Sequence, residues 1–231
     1  MWIKICANTN LDDAQLAAEL GADAVGFVFA PSPRQVTAAE VARITPHLPE
    51  GLECVGVFPA LEAQQIAGIA QECGLTTVQL QGGVSLELVR QLDEIFNGQV
   101  KLIQTVHWQV DADAASAAVP SATVVAEQLR QIASDDLVGR VLIDAKVGSA
   151  IGGTGVSFDW DAARATLAEA GTGLKMIVAG GLRPENVGDA IRRLKPWGVD
   201  VASGVEQSPG RKSPEKLAAF IRAARNPDTG V

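Results

Sequence analysis

Ala24-Val25-Gly26-Phe27-Val28-Phe29 is apolar at every position. A strand with one face in water alternates apolar and polar residues, whereas a strand covered on both faces reads as an unbroken apolar run and belongs to a parallel sheet. The flanks agree. Upstream, Asn10 stands before an amphipathic stretch, Leu11–Leu20, that Gly21 stops. Downstream, Thr37-Ala38-Ala39-Glu40 has the spacing of a capping box and opens a second helix. The segment is therefore a buried strand between two helices, one turn of a strand–loop–helix repeat.

The repeat extends along the whole chain. Candidate strands are Trp2–Cys6, Ala24–Phe29, Glu53–Phe58, Thr76–Leu80, Lys101–Val106, Arg140–Asp144, Lys175–Ala179 and Val199–Ala202. Further helices are predicted over Leu61–Cys73, Leu86–Ile95, Val124–Ile132 and Trp160–Ala170. Pro184 and Pro214 stand where a first helical residue would, the second behind Ser213 as N-cap. Eight strands, each followed by a helix, make an α/β chain with a single (β/α)8 TIM barrel. A doubly wound open sheet is the alternative, but the first loop, Cys6-Ala7-Asn8-Thr9-Asn10, lacks the glycine fingerprint that such sheets carry after their first strand. No linker splits the chain, so residues 1–231 are read as one domain, with 226–231 a frayed tail. The longest irregular stretches are His107–Pro120 and Ala145–Ser157. Long loops on a compact barrel are commonly functional.

Composition narrows the function. The 231 residues are 47% hydrophobic and 20% charged, an ordinary globular balance, and the net charge of −8 with no basic run argues against nucleic acid as partner. No apolar run reaches membrane-spanning length, and Met1-Trp2-Ile3-Lys4-Ile5-Cys6 reads as a strand rather than a signal peptide. Cys6, Cys54 and Cys73 show neither paired nor metal-type spacing, which fits a reducing cytoplasm. His47 and His107 are too scattered for a histidine-based zinc site, so no metal is expected.

A barrel gathers its strand ends on one face. Cys6 ends the first strand and reads either as a small buried hydrophobe or as a thiolate acting as base or nucleophile. Lys4 shares its strand face, and if it points into the barrel its charge favours the thiolate. Asp144 ends the sixth strand after Val141-Leu142-Ile143. It is either a tether for neighbouring loops or, with a pKa raised by partial burial, a proton donor. Gly180-Gly181 and Gly204 follow the seventh and eighth strands, where barrels often hold phosphate. Arg34, in Pro31-Ser32-Pro33-Arg34, is a solvated charge or a fork for a substrate carboxylate. Asp200, inside the eighth strand, binds a substrate group or neutralises Lys4.

These residues bring the chain close to a known family. From Lys4 to about Lys212 it resembles phosphoribosylanthranilate isomerase, the barrel enzyme of tryptophan biosynthesis. The likeness rests on Lys4-Ile5-Cys6, Gly21-Ala22-Asp23-Ala24-Val25-Gly26-Phe27-Val28-Phe29 and Ser32-Pro33-Arg34. It continues through Val55-Gly56-Val57-Phe58, Val78-Gln79-Leu80, Asp144 with Gly152-Gly153-Thr154-Gly155, and Phe158-Asp159-Trp160. It closes with Ala179-Gly180-Gly181-Leu182, Pro184-Glu185-Asn186-Val187, and Gly198-Val199-Asp200-Val201 leading to Ser203-Gly204-Val205-Glu206. The resemblance implies an Amadori rearrangement of N-(5-phosphoribosyl)anthranilate to 1-(2-carboxyphenylamino)-1-deoxyribulose 5-phosphate, without metal or organic cofactor. It makes Asp144 the general acid and Cys6 the general base. Arg34 holds the anthranilate carboxylate, Asp200 lies near the bridging amine, and Gly153, Gly181 and Gly204 lend backbone to the phosphate site. The implied partner is this small phosphosugar–anthranilate substrate alone, with the protein a monomer or homodimer in the cytoplasm.

Two positions depart from the family's pattern: Ala7 stands where glycine is common and Gln81 where histidine is usual. Ala7 crowds its loop if that position needs a positive φ. Gln81 keeps hydrogen bonding but loses a titratable ring. A related or dual-specificity phosphosugar isomerase of histidine biosynthesis is the nearest alternative, though such enzymes typically carry aspartate where Cys6 stands. A barrel kept only to bind a phospho-metabolite is the other.

Overall fold

The computed structural model describes residues 1–110, 121–147 and 160–228. Eight parallel strands close into a barrel: β1 (Trp2–Ile5), β2 (Ala24–Val28), β3 (Glu53–Phe58), β4 (Thr77–Leu80), β5 (Lys101–Val110), β6 (Arg140–Val147), β7 (Lys175–Val178) and β8 (Gly198–Val201). Closure is the pairing of β1 with β8, where Lys4 stands beside Asp200 and Ile5 beside Val201. Helices α1 (Leu11–Glu19), α2 (Ala38–Ile44), α3 (Ala63–Glu72), α4 (Leu86–Phe96), α5 (Ser121–Ala133), α6 (Trp160–Ala170), α7 (Val187–Leu194) and α8 (Pro214–Arg225) alternate with the strands. A small antiparallel hairpin, β9 (Glu206–Ser208) and β10 (Arg211–Lys212), stands between β8 and α8.

Strand alternation divides the apolar residues into two cores. Trp2, Ala24, Val55, Ile103, Leu142, Ile177 and Ala179 cluster inside the barrel. The intervening residues, Ile3, Val25, Phe27, Val78, Val141, Val178 and Val199 among them, form the larger core against the helices. The period of two then fixes what else points inward: Lys4 and Cys6 follow Trp2, Asp144 follows Leu142, and Thr105 and His107 follow Ile103. The caps behave as their sequences require. Asn10 accepts from the Asp13 N–H, Thr37 and Glu40 exchange both bonds of a capping box, and Ser213 accepts from the Lys216 N–H ahead of Pro214.

Three elements differ from expectation. β5 and β6 run on past Val106 and Asp144, pairing Trp108 with Ala145, Gln109 with Lys146 and Val110 with Val147. The extra rungs form because Trp108 and Ala145 are both buried and every added residue keeps a ladder partner. His107 therefore lies in a strand rather than an irregular stretch. Pro184 is not the first residue of α7. It lies in a turn where Asn186 accepts from the Arg183 N–H at 2.8 Å and donates to the Gly181 carbonyl at 3.0 Å, and the helix starts at Val187. The remainder of the two long loops (111–120 and 148–159), and residues 229–231 of the expected tail, lie outside the described residues.

Candidate active site

At the mouth, β1, β6 and β8 bring three ionisable groups to the inner wall. Cys6, Asp144 and Asp200 are 6%, 8% and 8% exposed, so each is a polar group removed from water and needs a compensating interaction. Lys4 lies beneath them, fully buried, with its Nζ 2.9 Å from Asp200 Oδ1. Of the two roles open to Asp200, the geometry shows the neutralisation of Lys4. Gly26 makes room for this arrangement. A Cβ there would lie 2.9 Å from both Cys6 Sγ and Lys4 Cε, so only glycine lets β2 pass the two side chains.

Burial and charge set the protonation of these groups. Burial drives the Asp144 carboxyl up and the charge of Asp200 adds to it, against Lys4 and the Ala145 N–H, leaving it at about 7. Burial also pushes the Cys6 thiol up. Lys4 and Lys212 oppose this and Asp200 reinforces it, and the net direction is upward from the usual thiol range. Lys4 does point into the barrel and does favour the thiolate, but desolvation outweighs it. Burial alone would lower the Lys4 pKa; Asp200 and Cys6 reverse that and hold it above the ordinary lysine range.

Arg34 reaches the same mouth from the loop after β2, but not as a free fork. Its Nε lies 2.9 and 3.0 Å from the two Glu206 oxygens and its Nη2 2.7 Å from Glu206 Oε2. Glu206 is thus the carboxylate on one edge of the guanidinium, and that pairing holds the Glu206 pKa low despite burial. Among the described residues no hydrogen bond reaches the opposite edge, which carries Nη1.

The glycine loops are also placed by close contact. Gly181 has φ +64°, in the left-handed region. A Cβ at Gly204 would fall 1.9 Å from the Leu182 carbonyl oxygen, so the loops after β7 and β8 touch through backbone and only glycine fits. Gly153 and the rest of Gly152-Gly153-Thr154-Gly155 lie outside the described residues. Gln81 follows β4, its N–H bonded to the Phe58 carbonyl and its own carbonyl 3.4 Å from His107 Nε2.

Three functional neighbours escaped sequence reading. Gly26 stands in an apolar strand, where nothing in the sequence marks its close contacts. Glu206 and Lys212 belong to the hairpin, whose only sequence signal is Pro209-Gly210, a turn dipeptide between charged residues. Lys212 is 1% exposed, which composition does not show. Among the described residues no cluster of three or more His, Cys, Asp or Glu side chains is placed to hold a metal, and no helix is long and apolar enough to cross a membrane.

Comparison with known proteins follows the geometry. Residues 3–223 match the family model described as N-(5'phosphoribosyl)anthranilate (PRA) isomerase. The N-(5'-phosphoribosyl)anthranilate isomerase of Magnetococcus marinus is 38% identical over 230 residues, covering 99% of this chain and 97% of its own length. That of Citrifermentans bemidjiense is 39% identical over 224 residues, covering 96% of each. Among solved structures, the phosphoribosyl anthranilate isomerase of Thermotoga maritima superposes with a TM-score of 0.81 at 33% identity, over 98% of this chain and 99% of that one. A further isomerase structure, in complex with reduced 1-(o-carboxyphenylamino)-1-deoxyribulose 5-phosphate, has a TM-score of 0.78 at 32% identity over the same shares. By sequence along nearly its whole length and by the closed barrel it forms, this chain belongs to the N-(5'-phosphoribosyl)anthranilate isomerase family.

Proposed function

We propose that this chain carries out its family's isomerisation of N-(5'-phosphoribosyl)anthranilate in tryptophan biosynthesis, with Asp144 as general acid and Cys6 as general base. The observation that supports it best is the Asp144 carboxyl, facing the barrel interior and holding its proton to about pH 7 through burial and the neighbouring charge of Asp200. A carboxyl in that state donates a proton at neutrality where an exposed one has none to give.

Asp144 protonates the ribose ring oxygen, the bond from that oxygen to C1 breaks, and the nitrogen lone pair forms the C=N bond of a protonated Schiff base. Cys6, as thiolate, takes the proton from C2. The C–H electron pair becomes the C1=C2 bond, and the C=N pair returns to nitrogen, giving an enolamine. Tautomerisation delivers the ketone. Lys4 supports this step, because its charge favours an ionised sulfur. The outer edge of Arg34 takes the anthranilate carboxylate while Glu206 fixes the inner edge. Gly181, Gly204 and Gly153 offer backbone N–H groups to the phosphate, and Asp200 lies near the bridging amine. An anion anchor at each end keeps the sugar from reversing in the site. The chain acts as a single barrel, as monomer or homodimer, in the cytoplasm.

The productive form combines a protonated Asp144 with an ionised Cys6. It is most populated between the two pKa values, so kcat/KM peaks above pH 7 and below the raised thiol pKa. Turnover of freshly generated substrate, followed as loss of anthranilate-type fluorescence, tests the assignment. Asp144→Asn and Cys6→Ser are each expected to lower kcat by about 10²–10⁴-fold with product-analogue affinity retained. Undiminished kcat in either variant removes that residue from its role.

A further inference from the structure

The residue after the proposed base is in a conformation that L-residues avoid. Ala7 has φ +61°, one of three non-glycine residues with positive φ among those described. The other two, Asn97 and Lys195, cap helices α4 and α7, where a left-handed residue is routine. Ala7 caps nothing and sits at the mouth, fully buried. Left-handed backbone strains a non-glycine residue, so neighbouring contacts must hold it there.

One of those contacts is a buried amine. Lys212 Nζ lies 2.5 Å from the Cys6 carbonyl oxygen, which belongs to the peptide unit joining Cys6 to Ala7. Two longer contacts, 3.4 Å to the Ala202 carbonyl and 3.5 Å to Glu206 Oε1, complete three acceptors for the three N–H bonds of an ammonium. The hairpin that carries Lys212 is itself tied to the first loop and to the first turn of α1. The Lys212 N–H donates to Asp13 Oδ2 at 2.9 Å, and Thr9 Oγ1 donates to the Gly210 carbonyl at 2.6 Å. Below the turn, Cys6 N–H donates to the Val201 carbonyl and Asn8 N–H to the Gly26 carbonyl. The turn is therefore gripped from β8 and β2 below and by Lys212 above.

The same amine is one of the charges that bear on the sulfur. From its own strand Cys6 faces Lys4; from β8 it faces Asp200; from β10, Lys212; from the loop after β2, Arg34. Glu206 lies behind Lys212 and Arg34, and Asp144 interacts with Lys4 and Asp200 across the mouth. Lys4 is already engaged by Asp200. Lys212 is held by the neutral Cys6 carbonyl and, at 3.5 Å, by Glu206; burial draws its pKa below the ordinary lysine range against the pull of Glu206.

We propose that Lys212 is a positioning residue for Cys6: its ammonium holds the Cys6 carbonyl, keeps Ala7 left-handed and thereby aims the thiol into the mouth. The placement of the thiol stands on geometry alone, and its consequence for turnover rests on the base role proposed for Cys6.

The test uses Lys212→Met, which keeps the length of the side chain and removes the amine. Two quantities are read against pH: the rate of Cys6 alkylation by iodoacetamide, localised by peptide mass, and kcat on the phosphoribosylanthranilate substrate. The alkylation inflection is expected to rise by a fraction of a pH unit, with a correspondingly slower reaction at any pH below it. kcat is expected to fall at least as far, with KM little changed. Adding Ala7→Gly, which removes the penalty of positive φ, is expected to recover part of the lost kcat while leaving the inflection raised. Should Lys212→Met alone not accumulate as folded protein, recovery of the fold on adding Ala7→Gly supports the same placement, and no recovery overturns it. An unmoved alkylation inflection, or a lost kcat that Ala7→Gly does not restore, also overturns it. A raised inflection with unchanged kcat upholds the placement of the thiol and removes Cys6 as the base.

Discussion

The two ends of the barrel treat a carboxylate drawn away from water, Glu53 half-buried and Asp144 buried, in opposite ways. At the closed end, Glu53 accepts from Arg140 at 2.7 and 3.1 Å, from Lys101 at 3.0 Å and from Thr77 at 3.1 Å. Burial pushes its pKa up, yet these donors outweigh it and hold the carboxylate below its usual range. Arg140 is fixed in turn, its guanidinium 4.7 Å over the Trp197 ring, which stacks on Trp2. At the mouth, burial and the repelling charge of Asp200 outweigh Lys4 and the Ala145 N–H, which among the described residues oppose them, and Asp144 stays protonated to about pH 7. One end surrounds its charge with partners and gains rigidity. The other, among the described residues, offers few and gains a proton that can move, at a cost in stability.

That contrast can be attacked from either end. The largest expected effect is at the mouth. An unfolded aspartate loses its proton near pH 3.9, whereas folded Asp144 holds it to about 7, so folding stability falls as pH rises across that window. Asp144→Asn removes this penalty. Denaturant titrations should show the variant more stable than the wild type by about 2–4 kcal/mol at pH 8, with the difference vanishing near pH 4. Equal stability at pH 8 would mean that the carboxyl is not held in the protonated form. A smaller effect of opposite sign belongs to the closed end. Arg140→Leu strips Glu53 of two bonds and the tryptophan pair of one of its two cations, Lys175 remaining over Trp197, and is expected to cost about 1–3 kcal/mol with kcat unaltered. A loss of kcat there would show that the two ends are coupled. The smallest effect is at Ala7, where Ala7→Gly in the wild type relieves the positive φ against the greater chain entropy of glycine. A gain of about 0.5–1 kcal/mol in thermal or denaturant unfolding is expected, and a loss would show that the turn carries no strain.

Much of the scaffold was legible because it depends on periodicity. The apolar run at Ala24–Phe29 and the cap residues Asn10, Thr37 and Ser213 each carry a local signal that the folded chain obeys. Pro184 misled because a proline suited to a helix start also suits the turn before one, and the Asn186 side chain decides between them. The overhang of β5 and β6 was missed because each strand extends only while the other does. At the mouth, Cys6 and Asp144 were readable from their places at strand ends. Arg34 was half readable: the sequence shows a fork, not that Glu206, 172 residues away, already fills one side of it.

Residue order alone established the repeat, the parallel sheet and the inward alternation that carries Lys4, Cys6 and Asp144 to one wall, because each follows from spacing within a strand or helix. Closure of the barrel decided the rest. Pairing β1 with β8 places Lys4 against Asp200, and folding the hairpin back over the first loop sets Lys212 on the Cys6 carbonyl. Protonation belongs to this second kind, since a pKa depends on the water excluded and the charges brought near, and both are properties of the closed barrel rather than of any segment in it.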